Sequence, residues 1–165
     1  GGLDEKTMAE EFVAGLADFS YAACIIGIAR GILVIAEAGM IIDTILNGLA
    51  TALAGAPAPV YTTLMYLVLG FLSILVPSSS GLAALTMPII GPLTELMGVN
   101  PEAAVTALVM ANQTINTISP TAGMTVAGLS VSKISFGQWW KTCWKFMIFL
   151  VVGGLVVTAI SGMLA

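Results

Sequence analysis

Two short runs of serine, threonine, proline and glycine carry the groups in this sequence that could bind a ligand. The first, the tip segment, spans residues 77–81 and reads PSSSG. The second, the break segment, spans residues 117–123 and reads TISPTAG. Hydroxyl and carbonyl oxygens in such segments can coordinate a small cation such as sodium, and free N–H groups at a helix start attract anions. The pattern predicts a small polar binding site, with packing kinks as the alternative.

Both segments lie in long stretches without charge. No Asp, Glu, Lys, Arg or His occurs in residues 44–94 or 103–132. The chain is 58% hydrophobic and 8% charged, and its mean hydropathy is +1.04, whereas a soluble domain carries about 25% charged residues. A bilayer core of about 30 Å needs roughly 20 apolar residues per helical crossing. The composition therefore predicts an all-α, multi-pass membrane protein.

Each segment is expected to interrupt helical structure inside the membrane. The tip segment would be the turn of a re-entrant helical hairpin over residues 59–98, because both flanking arms are short for a crossing. The break segment would interrupt a discontinuous transmembrane helix over residues 100–132, since Pro120 and Gly123 disfavour helix there. Such backbone is tolerated at membrane depth only inside protein or beside water. Because paired interrupted helices are typical of transporter sites, we favour the binding site over packing kinks.

Four further segments complete the predicted architecture. Residues 1–17 alternate acidic and apolar side chains, which fits an amphipathic interfacial helix or an ordinary solvated one equally well. Residues 18–54 are predicted to form a crossing helix followed by a tilted or broken one. Residues 133–146 combine lysine with tryptophan, which is typical of an interface on the cytoplasmic side. Residues 147–164 are predicted to form the final transmembrane helix, with the C-terminus outside.

Three charged residues fall within apolar sequence: Arg30, Glu37 and Asp43. A charge is costly when it faces lipid, so these side chains should face protein, water or each other. They could belong to a transport pathway, with Glu37 or Asp43 carrying a proton. The alternative, which we favour, is a buried or interfacial ion pair that fixes helix packing.

Several classes of protein are excluded or disfavoured. A net charge of −4 gives no basic face for nucleic acid, and the absence of histidine excludes histidine catalysis and ligation. Cys24 and Cys143 lie far apart, without metal or disulfide spacing. The serines of the tip segment have no nearby base, so an enzyme is not expected. A second candidate is a non-transporting membrane subunit, which would close-pack both polar segments without a cavity.

The motifs PSSSGLAALTMPIIGPLTELMG, NTISPTAGMTVAGLSVSKISFGQW and GIARGILVIAEAGMIIDTIL together resemble the C-terminal half of the C4-dicarboxylate anaerobic carrier family. They resemble in particular its YfcC-like branch, which contains dicarboxylate carriers and basic amino acid antiporters. More distantly, the arrangement is similar to the divalent anion:sodium symporters. There, a Ser-Asn-Thr hairpin tip faces an unwound Thr-Pro segment in each of two inverted repeats.

The resemblance implies a set of site residues. The expected substrate-binding residues are Ser78, Ser79, Ser80, Asn116, Thr117, Ser119, Pro120 and Thr121. The expected cation-binding residues, with sodium as the cation, are Ser79, Gly81, Asn112, Ile118, Thr121 and Gly123. Ser79 stands where the symporters have asparagine, so the amide must come from elsewhere; Asn112, Gln113 or Asn116 could supply it.

The resemblance also implies a function. It predicts a secondary active transporter of a C4-dicarboxylate or amino acid, working by alternating access as a homodimer in the bacterial cytoplasmic (inner) membrane. No carboxylate occurs in either polar segment, which favours sodium coupling or exchange over a proton site located there. Only one inverted repeat is visible, and the chain starts at Gly1 without an initiator methionine. We therefore expect a second, N-terminal repeat of a longer protein to complete the site.

Overall fold

A computed structural model of the chain describes residues 4–52 and 55–164. The described residues form seven α-helices, in agreement with the predicted all-α fold. In chain order these are α1 (Glu5–Ala38), α2 (Ile41–Ala52), α3 (Ala58–Leu75), α4 (Ser79–Leu96), α5 (Pro101–Ile118), α6 (Gly123–Val131) and α7 (Phe136–Met163).

Two of these helices, α3 and α7, are long and apolar enough to cross a membrane, with mean hydropathies of 1.8 and 2.3. The pair Arg30–Ala38 and Ile41–Gly48 meets the same criterion together but is bent by 68°. By length and composition, the described residues therefore supply two helices that could cross a membrane, or three if the bent pair is one span. The all-α membrane fold predicted from composition is confirmed.

The helix α1 joins two segments that the sequence predicted separately. Asp4 caps its first turn, and the hydroxyl and amide of Thr7 both donate to the Asp4 carboxylate and lower its pKa. The helix then continues past the boundary expected between residues 17 and 18, because no proline interrupts it. It ends at Ala38 with Gly39 as its C-cap, and the bend into α2 follows. The segments predicted over residues 1–17 and 18–54 include residues 1–3, 53 and 54, which lie outside the described residues.

The helices α3 and α4 form a hairpin that is closed at its base by a hydrogen bond. The Tyr61 hydroxyl and the Thr94 hydroxyl lie 2.8 Å apart, both fully buried. The non-helical connection covers only residues 76–78, because Ser78 caps α4 by accepting a bond from the Gly81 amide at 3.3 Å. The tip is therefore shorter than the predicted 77–81. Each arm has 18 residues, roughly 27 Å, and re-entry into the membrane stays a prediction.

The helices α5 and α6 are the two parts of the predicted broken helix. The Asn100 side chain caps α5 by accepting a bond from the Glu102 amide at 2.9 Å. The non-helical stretch covers residues 119–122, so three positions of the predicted 117–123 break are helical.

The helix α7 also joins two predicted segments, 133–146 and 147–164. A capping box between Ser135 and Gln138 starts it. It then continues for 28 residues to Met163. The expected boundary after residue 146 carries no helix-breaking residue, which explains the merger.

The core is built around α3, which packs against α5 and α7, while α1 packs against α6. The face of α5 toward the core is rich in fully buried alanine: Ala103, Ala104, Ala107 and Ala111. Such small residues let membrane helices approach closely. The packing of α1 on α6 carries Arg30 to the region of the break.

Candidate functional site

The break contacts the hairpin arm that leads to the tip through one side chain. The Thr121 hydroxyl donates to the Ile74 carbonyl at 2.9 Å. Ile74 lies in the last turn of α3, where the final carbonyls have no partner inside the helix. The break therefore completes the hydrogen bonding of the arm that leads to the tip.

Within the break, short polar contacts hold the backbone. The Ser119 and Thr121 hydroxyls lie 2.7 Å apart, and the Thr121 amide donates to the Ser119 hydroxyl at 3.2 Å. Ser119 is buried and Thr121 is half-buried. The turn at the break is thus defined by its own side chains.

The last four carbonyls of α5 are all satisfied by named donors. Ile115 accepts from the Ser119 amide at 2.7 Å, and Asn116 accepts from the Thr125 hydroxyl at 2.6 Å. The indole N–H groups of two adjacent tryptophans bind the others: Trp139 donates to Thr117 at 3.2 Å and Trp140 to Ile118 at 3.1 Å. The Ile118 carbonyl, an expected cation ligand, therefore already accepts a bond.

The role of these tryptophans was not predicted from sequence, which placed them only at a membrane interface. Each bond joins residues 22 positions apart. The sequence does contain a signal that could have predicted these bonds. An indole N–H in apolar surroundings needs an acceptor, and the end of an interrupted helix offers several carbonyl acceptors.

The other end of the break is open. The helix α6 starts at Gly123, and its N-cap residue, Ala122, makes no side-chain capping bond. A helix start with free N–H groups carries a partial positive charge and favours anions. At the tip, by contrast, Ser78 caps α4.

A cavity of about 310 Å³ lies between tip and break. Its walls include Arg30 and Leu33 of α1, Ser78 of the tip, and Thr121 and Gly123 of the break. The remaining lining residues are apolar. One charged residue and two hydroxyls therefore face a volume suited to a small metabolite.

The asparagines of α5 form a separate buried network. Asn112 is fully buried; its amide donates to the Ser73 hydroxyl at 3.3 Å, and its oxygen accepts from the Asn116 amide at 2.9 Å. The Asn116 side-chain oxygen is buried and has no partner among the described residues. An unsatisfied buried acceptor lowers the stability of the fold by about 1–3 kcal/mol. This oxygen is therefore suited to binding a cation or a hydrogen-bond donor. Gln113, the third amide considered, is exposed and faces a groove beside α7.

The other predicted site residues lie apart from this cavity. Ser79 and Ser80 are exposed in the first turn of α4, and Pro120 lines a second cavity of about 470 Å³ with Lys133. Thr117 uses its hydroxyl to bind the Gln113 carbonyl at 2.9 Å. The structure therefore brings together Ser78, Thr121 and Gly123 of the two predicted sets.

The three charged residues are all exposed, and Arg30 lines the cavity. The ion pair found among the described residues is Lys6 with Glu10, at 3.8 Å on the exposed surface of α1. The packing ion pair favoured from sequence for Arg30, Glu37 and Asp43 is thus not found in the part of the chain that the structure describes.

Comparison with known proteins gives a family. The sequence-family model of the C4-dicarboxylate anaerobic carriers matches residues 1–162 of this chain. An "Uncharacterized protein" of Haemophilus influenzae is 34% identical over 160 residues, which are 97% of this chain and 31% of that protein. The "Putative basic amino acid antiporter YfcC" of Escherichia coli strain K12 is 36% identical over 145 residues, 85% of this chain and 29% of that protein. No solved structure matches significantly.

These matches confirm the resemblance drawn from the tip, the break and the segment around Arg30. The chain spans about three tenths of the length of both curated relatives. The family match covers nearly all of its residues. The chain belongs to the C4-dicarboxylate anaerobic carrier family.

Proposed function

We propose that this chain forms one repeat of a secondary active transporter for a small carboxylate-bearing metabolite, either a C4-dicarboxylate or an amino acid. The observation that carries the proposal is the convergence of Ser78 and Thr121 on one cavity of about 310 Å³. Membership of a carrier family agrees with it, and the name of the Escherichia coli relative supplies the amino acid alternative.

Transport would proceed by alternating access, with the hairpin and the broken helix moving as one body. Two bonds between them support this unit: Thr121 to Ile74, and Asn112 to Ser73. The packing of α3 on α5 buries apolar surface along the same interface. A second repeat of the same polypeptide would complete the site, and a homodimer in the bacterial cytoplasmic membrane would be the working assembly.

Sodium is the coupling ion that the donor set fits best. Its oxygen ligands would centre on the unpartnered side-chain oxygen of Asn116, with the hydroxyls of Ser119 and Thr121 in the break nearby in sequence. Asn112 and the Ile118 carbonyl, which the sequence also suggested, already take part in other bonds. Exchange of one substrate for another is the alternative to sodium coupling.

A non-transporting membrane subunit is the competing function. It predicts that the two polar segments are close-packed with no space between them. The cavity bordered by both segments favours transport over that alternative.

Uptake by the full-length protein in proteoliposomes tests the proposal. Labelled succinate and labelled L-arginine are supplied with an inward sodium gradient, with no gradient, or with vesicles preloaded with unlabelled substrate. Sodium-stimulated uptake indicates symport, and uptake that needs preloading indicates exchange. If neither substrate is taken up under any of the three conditions, the proposed transport activity is contradicted.

A further inference from the structure

Arg30 is the one charged residue in an apolar stretch of 18 residues, from Phe19 to Ala36. An arginine in such a stretch is costly unless its charge is compensated, and residues of this kind usually mark a functional contact. The guanidinium of Arg30 therefore requires a partner that compensates its charge.

The described part of the chain offers Arg30 no carboxylate. Glu37 lies two turns further along α1 and Asp43 lies beyond the bend, and both are exposed. The ion pair that the described residues do contain, Lys6 with Glu10, lies near the start of the same helix.

Arg30 instead faces the cavity between tip and break. The packing of α1 on α6 places it there, beside Ser78 and Thr121. All other lining residues are uncharged. The cavity thus has a positive wall with no negative charge of its own.

A further feature of the cavity favours an anion over a cation. Gly123 starts α6 without a side-chain cap, so free N–H groups border the same space.

Resting on the proposed transport function, we infer that Arg30 binds a carboxylate group of the substrate and selects for it. A guanidinium presents two parallel N–H groups that match the two oxygens of a carboxylate. The hydroxyls of Ser78 and Thr121 would bind the remaining polar atoms of the same group. A volume of about 310 Å³ is at the small end of ligand pockets, which suits a metabolite of a few carbons.

The test pairs a charge change in the protein with one in the ligand. Binding of succinate and its diamide succinamide, and of L-arginine and L-argininamide, is measured by calorimetry on the purified full-length protein. The variants are Arg30→Gln and Arg30→Lys. Lys141→Gln, which removes one positive charge from an exposed site on α7, is the matched control.

We expect wild type and Lys141→Gln to bind the acid more tightly than the amide. In Arg30→Gln the Kd of the acid should rise about 10- to 100-fold, as for loss of a charged hydrogen bond. The Kd of the amide should change much less, so that the acid-to-amide preference falls toward unity. Arg30→Lys should retain part of the preference, since it keeps the charge but loses the paired geometry.

Three results would overturn the inference. An unchanged acid-to-amide preference in Arg30→Gln would leave the transport proposal standing but remove Arg30 from the site. Equal loss of acid and amide binding would assign Arg30 a structural role. If Arg30→Gln fails to fold, Arg30→Met takes its place, and an unchanged preference in Arg30→Met would likewise remove Arg30 from the site. Failure of wild type to bind any of the four probes would overturn the proposed function itself.

Discussion

The Thr121 hydroxyl donates to the Ile74 carbonyl at 2.9 Å, although the two residues are 47 positions apart. The last carbonyls of α3 have no partner inside the helix, and the break supplies a donor to one of them. Together with the bond from Asn112 to Ser73, this bond couples the conformation of the broken helix to that of the hairpin.

Replacing Thr121 with valine removes the bond at nearly constant volume. We expect the free energy of unfolding to fall by about 1 kcal/mol, and substrate affinity to fall with it, because Thr121 also lines the cavity. Thr121→Ser keeps the hydroxyl and should behave like wild type. Thr106→Val is the control, since the Thr106 hydroxyl binds only its own helix at Glu102. Loss of expression without any change in affinity would contradict a binding role for Thr121.

Alanine at Asn116 and alanine at Asn112 should have different effects. Asn116→Ala removes the unpartnered oxygen, so sodium stimulation of uptake should weaken. Asn112→Ala leaves the Asn116 amide without its acceptor and should mainly destabilise the fold, by about 1–3 kcal/mol. Sodium titrations of uptake and thermal unfolding separate the two. Intact transport and binding in Asn116→Ala would remove that residue from the site.

Phenylalanine at position 140 tests the capping of the broken helix. The change deletes the indole N–H that binds the Ile118 carbonyl at 3.1 Å. We expect a loss of about 1 kcal/mol in stability and faster amide hydrogen exchange in residues 119–122, measured by mass spectrometry. Trp144→Phe is the matched control, because Trp144 is exposed on the same helix. Equal exchange in both variants would mean that the bond does not hold the break.

Alanine substitutions at two neighbouring glycines of α7 should have different effects on stability. A Cβ at Gly154 would lie 2.5 Å from the Tyr66 hydroxyl oxygen, whereas one at Gly153 would meet nothing within 4 Å. Gly154→Ala should therefore cost about 1–3 kcal/mol through overpacking. Gly153→Ala should be neutral or slightly stabilising, since alanine favours helix over glycine by about 1 kcal/mol. Thermal unfolding in detergent measures both; similar values would contradict tight packing of α3 on α7.

The fold class was predictable because composition and charge-free stretches report directly on the membrane as solvent. The interruptions at Pro77 and Pro120 were also visible, since proline and glycine act locally. The joins in α1 and α7 were not foreseen. There, changes in polarity suggested boundaries at residues 17 and 146, but the backbone carries no breaking residue at either point.

The site was less predictable for a different reason. Local sequence identified Ser78 and Thr121, but their meeting depends on the packing of α3 against α5. The position of Arg30 depends in turn on the packing of α1 on α6, whereas the sequence favoured a buried or interfacial ion pair for this residue. Contacts between distant helices, unlike helix ends, leave no periodic signal in a single sequence.

The close packing between α3 and α7, here called the seam, determines which helix surfaces can slide during a conformational change. A Cβ at Gly162 would lie 2.5 Å from the Thr62 hydroxyl oxygen and 2.9 Å from the Ala58 carbonyl oxygen, so the two helices have no clearance along this seam. A displacement of the hairpin must therefore move α7 together with it. The surface that shears would then be the outer face of α7, where Phe149, Val152 and Val156 are exposed, and not its contact with the hairpin.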